Sequence, residues 1–230
     1  MTAPARAPAV DLSFPHNWQA EILPERPIIL PRRHFVYPRD AEEVERGALE
    51  VLVRPSEQQE QPAVEVHGLP LFRQKEVERM GHGASGERSV QPSQCPEPFL
   101  ATCALGFSDP AVPTGIWSVP RPEQICAVSG GYAYLIDTTA PEQFTMVSYR
   151  PVLEVRPNTS EGLLLFVGHH SILAWGRSGQ AWESEKLSSE GVTILGIEDG
   201  ALRGLGWDLM TDTETAFVLD LRTGILIRQH

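Results

Sequence analysis

No block of basic residues occurs anywhere in this chain. Residues 1–97 carry 11 basic and 15 acidic side chains, residues 98–230 carry 8 and 15, and the net charge is −11. Nucleic acid and anionic lipid surfaces are both bound by clustered Lys and Arg, so both are disfavoured as partners. Lysine itself is scarce, with only Lys75 and Lys186 among the 19 basic residues. Cysteine is scarce too. Cys95, Cys103 and Cys126 are odd in number, and their spacings of 8 and 23 suit neither a disulfide scaffold nor a zinc knuckle. Long apolar runs are missing: stretches such as Leu163–Val167 fall far short of the roughly 20 residues needed to cross a bilayer. The opening MTAPARAPAVDLSFP has no apolar core of signal-peptide length and is broken by proline, which sets the expectation of a cytoplasmic protein.

Several reaction signatures are also absent. The sequence has no GxSxG elbow, no GxxxxGK[ST] phosphate loop and no HExxH. Gly81–Gly86 is glycine-rich, but no strong strand precedes it and no lysine follows, so it does not read as a phosphate cradle.

What is present points to β structure. Hydrophobic residues make up 41% of the chain, enough for a core. Seventeen of the 20 prolines fall within residues 1–122. Proline lacks a backbone donor and fixes φ, so it suits extended segments and sheet edges. The expected fold is mainly β: an antiparallel meander, as a curved sheet, sandwich or partial propeller, with a proline-rich N-terminal arm and one short helix.

Four regions follow within a single domain. Residues 1–38 read as an extended arm whose apolar pieces (Phe14, Trp18, Ile28–Leu30, Phe35–Tyr37) need a surface to lie on. Residues 39–54 read as a short helix, capped by Asp40 and closed by Gly47, followed by a strand over Ala48–Arg54. Residues 55–97, polar and rich in turn formers, read as a loop or insertion. Residues 98–230 read as the β-rich core.

In that core the expected strands are Phe99–Gly106, Gly115–Val119, Ile125–Val128, Tyr132–Asp137, Gln143–Tyr149 and Val152–Arg156, then Leu163–Val167, Ser171–Trp175, Ala181–Leu187, Val192–Ile197, Ala201–Trp207, Glu214–Leu221 and Ile225–Arg228. Turn chemistry separates them: Ser129-Gly130-Gly131, Arg177-Ser178-Gly179, Glu198-Asp199-Gly200 and Arg222-Thr223-Gly224.

Three of these pieces resemble blade hairpins of quinoprotein- and WD-type β-propellers. FVLDLRTGILI (Phe217–Ile227) resembles a closing hairpin with Asp ahead of a Thr-Gly turn, SILAWGRSGQAW (Ser171–Trp182) a second hairpin, and AYLIDTTAPEQFTMV (Ala133–Val147) a fainter third copy. The resemblance spans residues 125–230. Closing a propeller takes at least four blades, so it implies an open or strongly curved arrangement. The whole chain also looks like a bacterial protein family from which no activity carries over.

Candidate chemistry is sparse. His169 and His170 sit in a turn between two apolar strands, where an imidazole could serve as base or metal ligand, although a metal needs three or four ligands. Asp208 and Asp212, with Glu214, share one loop and are candidates for paired-carboxylate chemistry. Trp175 and Trp207 are candidates for stacking on a ligand, and Trp175 and Trp182 flank one hairpin at positions to pair across it. Each set has a plainer structural role: imidazoles capping strand ends, a solvated hairpin loop, rings filling the core. Cys103 and Cys126, flanked by small apolar residues, read as buried strand cysteines.

No cofactor is implied. The leading expectation is a non-enzymatic protein-interaction domain, with a protein partner or self-association through the N-terminal arm. A binder or hydrolase of small molecules or carbohydrates, using His169, His170, Trp175, Trp207, Asp208 and Asp212, is the alternative, and it requires those residues to converge. An immunity-type inhibitor, its acidic charge steering a basic partner, is a third.

Overall fold

A computed structural model describes residues 7–39, 47–56 and 97–227. Sixteen strands account for its regular structure, and no helix occurs among the described residues. In chain order they are β1 (Ala9–Asp11), β2 (Trp18–Leu23), β3 (His34–Tyr37), β4 (Ala48–Pro55), β5 (Phe99–Ala104), β6 (Gly115–Ser118), β7 (Gln124–Ser129), β8 (Tyr132–Asp137) and β9 (Phe144–Met146). They continue as β10 (Glu154–Asn158), β11 (Leu163–Val167), β12 (Ile172–Gly176), β13 (Gly179–Glu183), β14 (Val192–Glu198), β15 (Ala201–Asp208) and β16 (Thr213–Asp220).

These strands form four sheets, and none closes on itself. Sheet I has the order β2-β4-β5-β3, sheet II β1-β6-β7-β8-β9, sheet III β10-β11-β12-β13 and sheet IV β14-β15-β16. Only β1–β6 and β3–β5 are parallel pairs; the remaining pairs are antiparallel.

The sheets stack face to face in the order I, II, III, IV, and side-chain alternation shows why. In β8, Ala133 and Leu135 enter the core shared with sheet III, while Tyr134 and Ile136 enter the core shared with sheet I. In β11, Leu164 and Phe166 face sheet II, while Leu163, Leu165 and Val167 face sheet IV. A strand covered on both faces must be apolar at consecutive positions, which is what LLLFV and ILAWG supply. The outer sheet IV needs only one apolar face, and β15 alternates accordingly: Leu202 lies in the core while Arg203 is exposed. Each fully buried Leu, Ile or Phe contributes roughly 1.5–3 kcal/mol. Phe166→Ala, in the middle of the stack, costs about 3–5 kcal/mol.

Turns delimit the sheets as their chemistry dictates. Gly130 and Gly131 (φ +54° and +74°) join β7 to β8, and Asp199 and Gly200 (φ +50° and +74°) join β14 to β15, both as two-residue hairpins with left-handed backbone. The β12–β13 loop is shorter than the sequence suggests: Gly176 pairs with Gly179, leaving only Arg177 and Ser178 in the turn. The strand expected over Ile225–Arg228 is reduced, within the described residues, to a single bridge between Leu219 and Leu226, reinforced by the Ile227 amide on the Val218 carbonyl.

The segment expected as an arm contributes three strands. β2 and β3 are the two edges of sheet I, and β1 is an edge of sheet II. Phe14, Trp18 and Tyr37 are buried, and their polar groups reach across the chain: the Phe14 amide donates to Ser118 Oγ (2.8 Å), Trp18 Nε1 to the Gln124 carbonyl (3.0 Å) and the Tyr37 hydroxyl to the Pro141 carbonyl (2.7 Å). β2 and β3 run in the same direction on opposite edges; β2 ends beside Glu50, level with Thr102, and β3 begins two residues lower, beside Leu100. Residues 24–33 therefore have to cross a face of sheet I, and since the inner face packs on sheet II, they cross the outer one. The expected helix over residues 40–46 and most of the expected loop, residues 57–96 with Cys95 and Gly81–Gly86, lie outside the described residues.

Candidate functional site

The residues singled out from sequence divide into two groups. His169 and His170 are exposed in the β11–β12 turn, and a segment connecting sheets III and IV folds against them. His170 Nδ1 lies 3.1 Å from the Ser188 carbonyl, and the His170 carbonyl accepts from the Leu187 amide. Because a carbonyl only accepts, His170 carries its proton on Nδ1 in this contact. Ser188 Oγ in turn accepts from the Trp207 amide (2.8 Å), and the Ser189 amide donates to the Trp207 carbonyl. One buried serine thus joins the histidine turn to the end of β15, so His169, His170, Trp207 and Asp208 share one end of sheets III and IV.

Trp175 does not join them. It sits at the far end of β12, buried in the core between sheets II and III, and its Nε1 has no hydrogen-bond partner. Nor does it pair with Trp182. A register shift between Ala174 and Trp175 sets Trp182 opposite Ala174, on the sheet IV side, where Trp182 Nε1 donates to the Leu221 carbonyl (2.9 Å).

Asp208 is already engaged in its own turn. Its Oδ1 accepts from the Met210 amide (2.9 Å), and this bond, with a further one from Thr211, holds its carboxyl below the usual carboxylate range. Asp212 lies in the same turn with φ +55°. Asp137, Asn158 and Asp220 repeat the local geometry: each accepts, on one oxygen, from amides two or three residues ahead. Loop organisation is the demonstrated chemistry of these side chains. Among the described residues no group of three or more His, Cys, Asp or Glu is arranged to hold a metal. Cys103 and Cys126 are free and buried, and burial pushes both thiols well above their ordinary pKa.

Sequence reading missed a buried polar chain across sheet I. Thr102 Oγ1 donates to Glu50 Oε2 (2.6 Å), and His34 Nε2 lies 2.9 Å from the same Oγ1. The alternation of ALEVLVR sets Glu50 on the outer face of β4, but nothing in the sequence signals that it is only 6% exposed. Also missed were two cavities flanking β1, of about 760 Å³ on the sheet III side and about 620 Å³ on the sheet I side.

These features define a mainly β protein whose described strands form four stacked open sheets. No protein-family model matches the chain, and no curated protein is similar to it. No helix among the described residues is long and apolar enough to cross a membrane.

Proposed function

We propose that this protein is a non-enzymatic interaction domain that associates through its N-terminal segment, with a second copy of the chain or a separate protein as partner. The observation that carries the reading is the exposure of Ile28, Ile29 and Leu30, three consecutive apolar residues on the segment that crosses sheet I. Pro27 and Pro31 bracket them and restrict the backbone, so little conformational entropy is lost when the ridge is covered. Three neighbouring exposed apolar side chains are a liability in a monomer and an asset at an interface. The net charge of −11 supports a basic partner where the partner is not a second copy, the immunity-type case included. Native mass measurement on the full chain tests the reading: a dimer or captured partner that is lost in Ile28→Asp and Ile29→Asp is the expected result, and a monomer at every concentration with no partner recovered counts against it.

A second reading, a small-molecule or carbohydrate site at the His169–His170 end, is supported by the Ser188 junction that brings His170 to Trp207. Without Trp175 it has a single stacking ring. Quenching of tryptophan emission by an oligosaccharide, abolished in Trp207→Phe, tests it.

A further inference from the structure

The position of β1 carries an inference independent of the 28–30 ridge. Among the described residues β1 is the terminal strand of sheet II and pairs only with β6. In this parallel pair Ala9 donates to the Thr114 carbonyl (2.8 Å). Hydrogen-bonding direction alternates along a parallel strand, so the groups of Ala9 and Asp11 face β6, and the N–H and C=O of Val10 face away. Val10 is 60% exposed and Leu12 39%, and no described strand lies along this edge.

The side chains alternate as well. Ala9 and Asp11 line the cavity of about 760 Å³ between sheets II and III, Pro8 lines the one of about 620 Å³ between sheets I and II, and Val10 borders both. The larger cavity has apolar walls, including Phe107 and Val155, and three carboxylates, Asp11, Asp109 and Glu154. Arg156 pairs with Glu154 (2.6 Å), so the surplus charge there is negative. The smaller cavity is walled by apolar residues such as Ile22, Leu49 and Ile116.

We propose that the outer edge of β1 is a docking site for an extended peptide of a partner protein, which adds a strand to sheet II. Backbone groups of Val10 and Leu12 pair with the incoming strand. Its successive side chains alternate between the two cavities, because strand side chains alternate between faces. The matching sequence has apolar residues at alternate positions and a Lys or Arg among those entering the larger cavity, opposite Asp11 and Asp109.

Selection of the full chain against a displayed library of random peptides, followed by binding of the synthetic winners, tests the proposal. Enrichment of alternating apolar sequences with a basic residue is expected, as is new hydrogen-exchange protection of the Val10 and Leu12 amides on binding. Val10→Pro removes an N–H that sheet II does not use, so the fold is retained while affinity falls about tenfold or more. Asp11→Asn with Asp109→Asn keeps the acceptor oxygens that cap Ser13 and Ala111 and flattens the salt dependence of binding. No enrichment, enrichment indifferent to Val10→Pro, or protection elsewhere than at Val10 and Leu12 overturns the proposal. None of these outcomes bears on the Ile28→Asp experiment, so the two surfaces stand or fall separately.

Discussion

Thr102 gives its one hydroxyl proton to Glu50, 2.6 Å away, and so has only acceptor capacity left for His34. The imidazole must then carry its proton on Nε2, either as that neutral tautomer or as imidazolium. A single hydroxyl, with no exposed surface of its own, thus requires a proton on Nε2 of a histidine on β3 and supplies the donor to a carboxylate on β4.

Thr102→Val tests the first half of that relay. The substitution keeps the shape and β-branching and removes the donor, leaving Glu50 Oε2 without its donor in a nearly closed site. Hydrogen bonds to charged groups contribute about 1.5–3 kcal/mol, so a loss of roughly that size is expected in urea unfolding. Adding Glu50→Gln to Thr102→Val recovers part of the loss, because a neutral amide is cheaper to bury than an unpaired carboxylate. Equal destabilisation by the single and double variants refutes the account.

The other half gives a pH dependence. Burial lowers the pKa of His34 from its ordinary value, the charge of Arg26 lowers it further, and Glu50 opposes both. The folded state therefore takes up a proton less readily than the unfolded chain. That preference stabilises the fold above the unfolded histidine pKa, about 6.5, and the stability is lost as pH falls through the lower folded value. In His34→Gln the side-chain amide still donates to Thr102 but does not titrate. Its unfolding midpoint should lose less between pH 7 and pH 5 than the wild type does; identical pH profiles would remove His34 from the explanation.

Much of this architecture is written in local patterns. ICAVS, YAYLID, LLLFV and ILAWG are apolar at adjacent positions, and each became a strand buried on both faces. Gly-Gly and Asp-Gly pairs located two hairpins because left-handed backbone is costly for other residues. The N-terminal segment was less legible. Proline density argues for an extended chain, and an extended chain is also what an edge strand is. Only partners far along the chain, such as Gly115 for Ala9 and Thr102 for Val36, distinguish an arm from a strand, and local sequence does not encode them. The candidate site shows the same limit. The His170–Ser188–Trp207 junction depends on a contact between two sheets, whereas Trp175 and Trp182 looked adjacent until the register shift at Ala174 put them on opposite faces.

The parallel contact of β1 with β6 rests on a missing side chain. A Cβ placed on Gly115 would lie 2.0 Å from the Ala9 carbonyl oxygen, backbone that cannot rotate away. Gly115→Ala should therefore displace β1 while leaving β7 and β8 in place. The expected signature is faster hydrogen exchange confined to residues near Ala9–Asp11, with a stability loss of about 1–3 kcal/mol. Unchanged exchange there would mean that β1 is held by Phe14 and its bond to Ser118, not by its pairing.

Trp182 offers the sharpest separation of packing from hydrogen bonding. Its ring lies against Gly224, whose added Cβ would meet Cε3 at 2.5 Å, and its Nε1 donates to the Leu221 carbonyl in a buried setting. Together these contacts hold the β16 turn, organised by Asp220, against sheet III. Trp182→Phe removes the donor and part of the ring, leaving the Leu221 carbonyl unsatisfied at a cost of about 1–3 kcal/mol plus the lost area. Gly224→Ala keeps the donor and forces Trp182 aside, at a left-handed φ of +71° that alanine tolerates poorly. Both substitutions should lower the unfolding midpoint. Only Gly224→Ala should also shift the near-ultraviolet circular dichroism of Trp182 while keeping its indole present. If the Trp182→Phe and Gly224→Ala losses add independently in the double variant, the ring and the turn are not coupled; strong non-additivity is expected, because each substitution removes the contact that the other relies on.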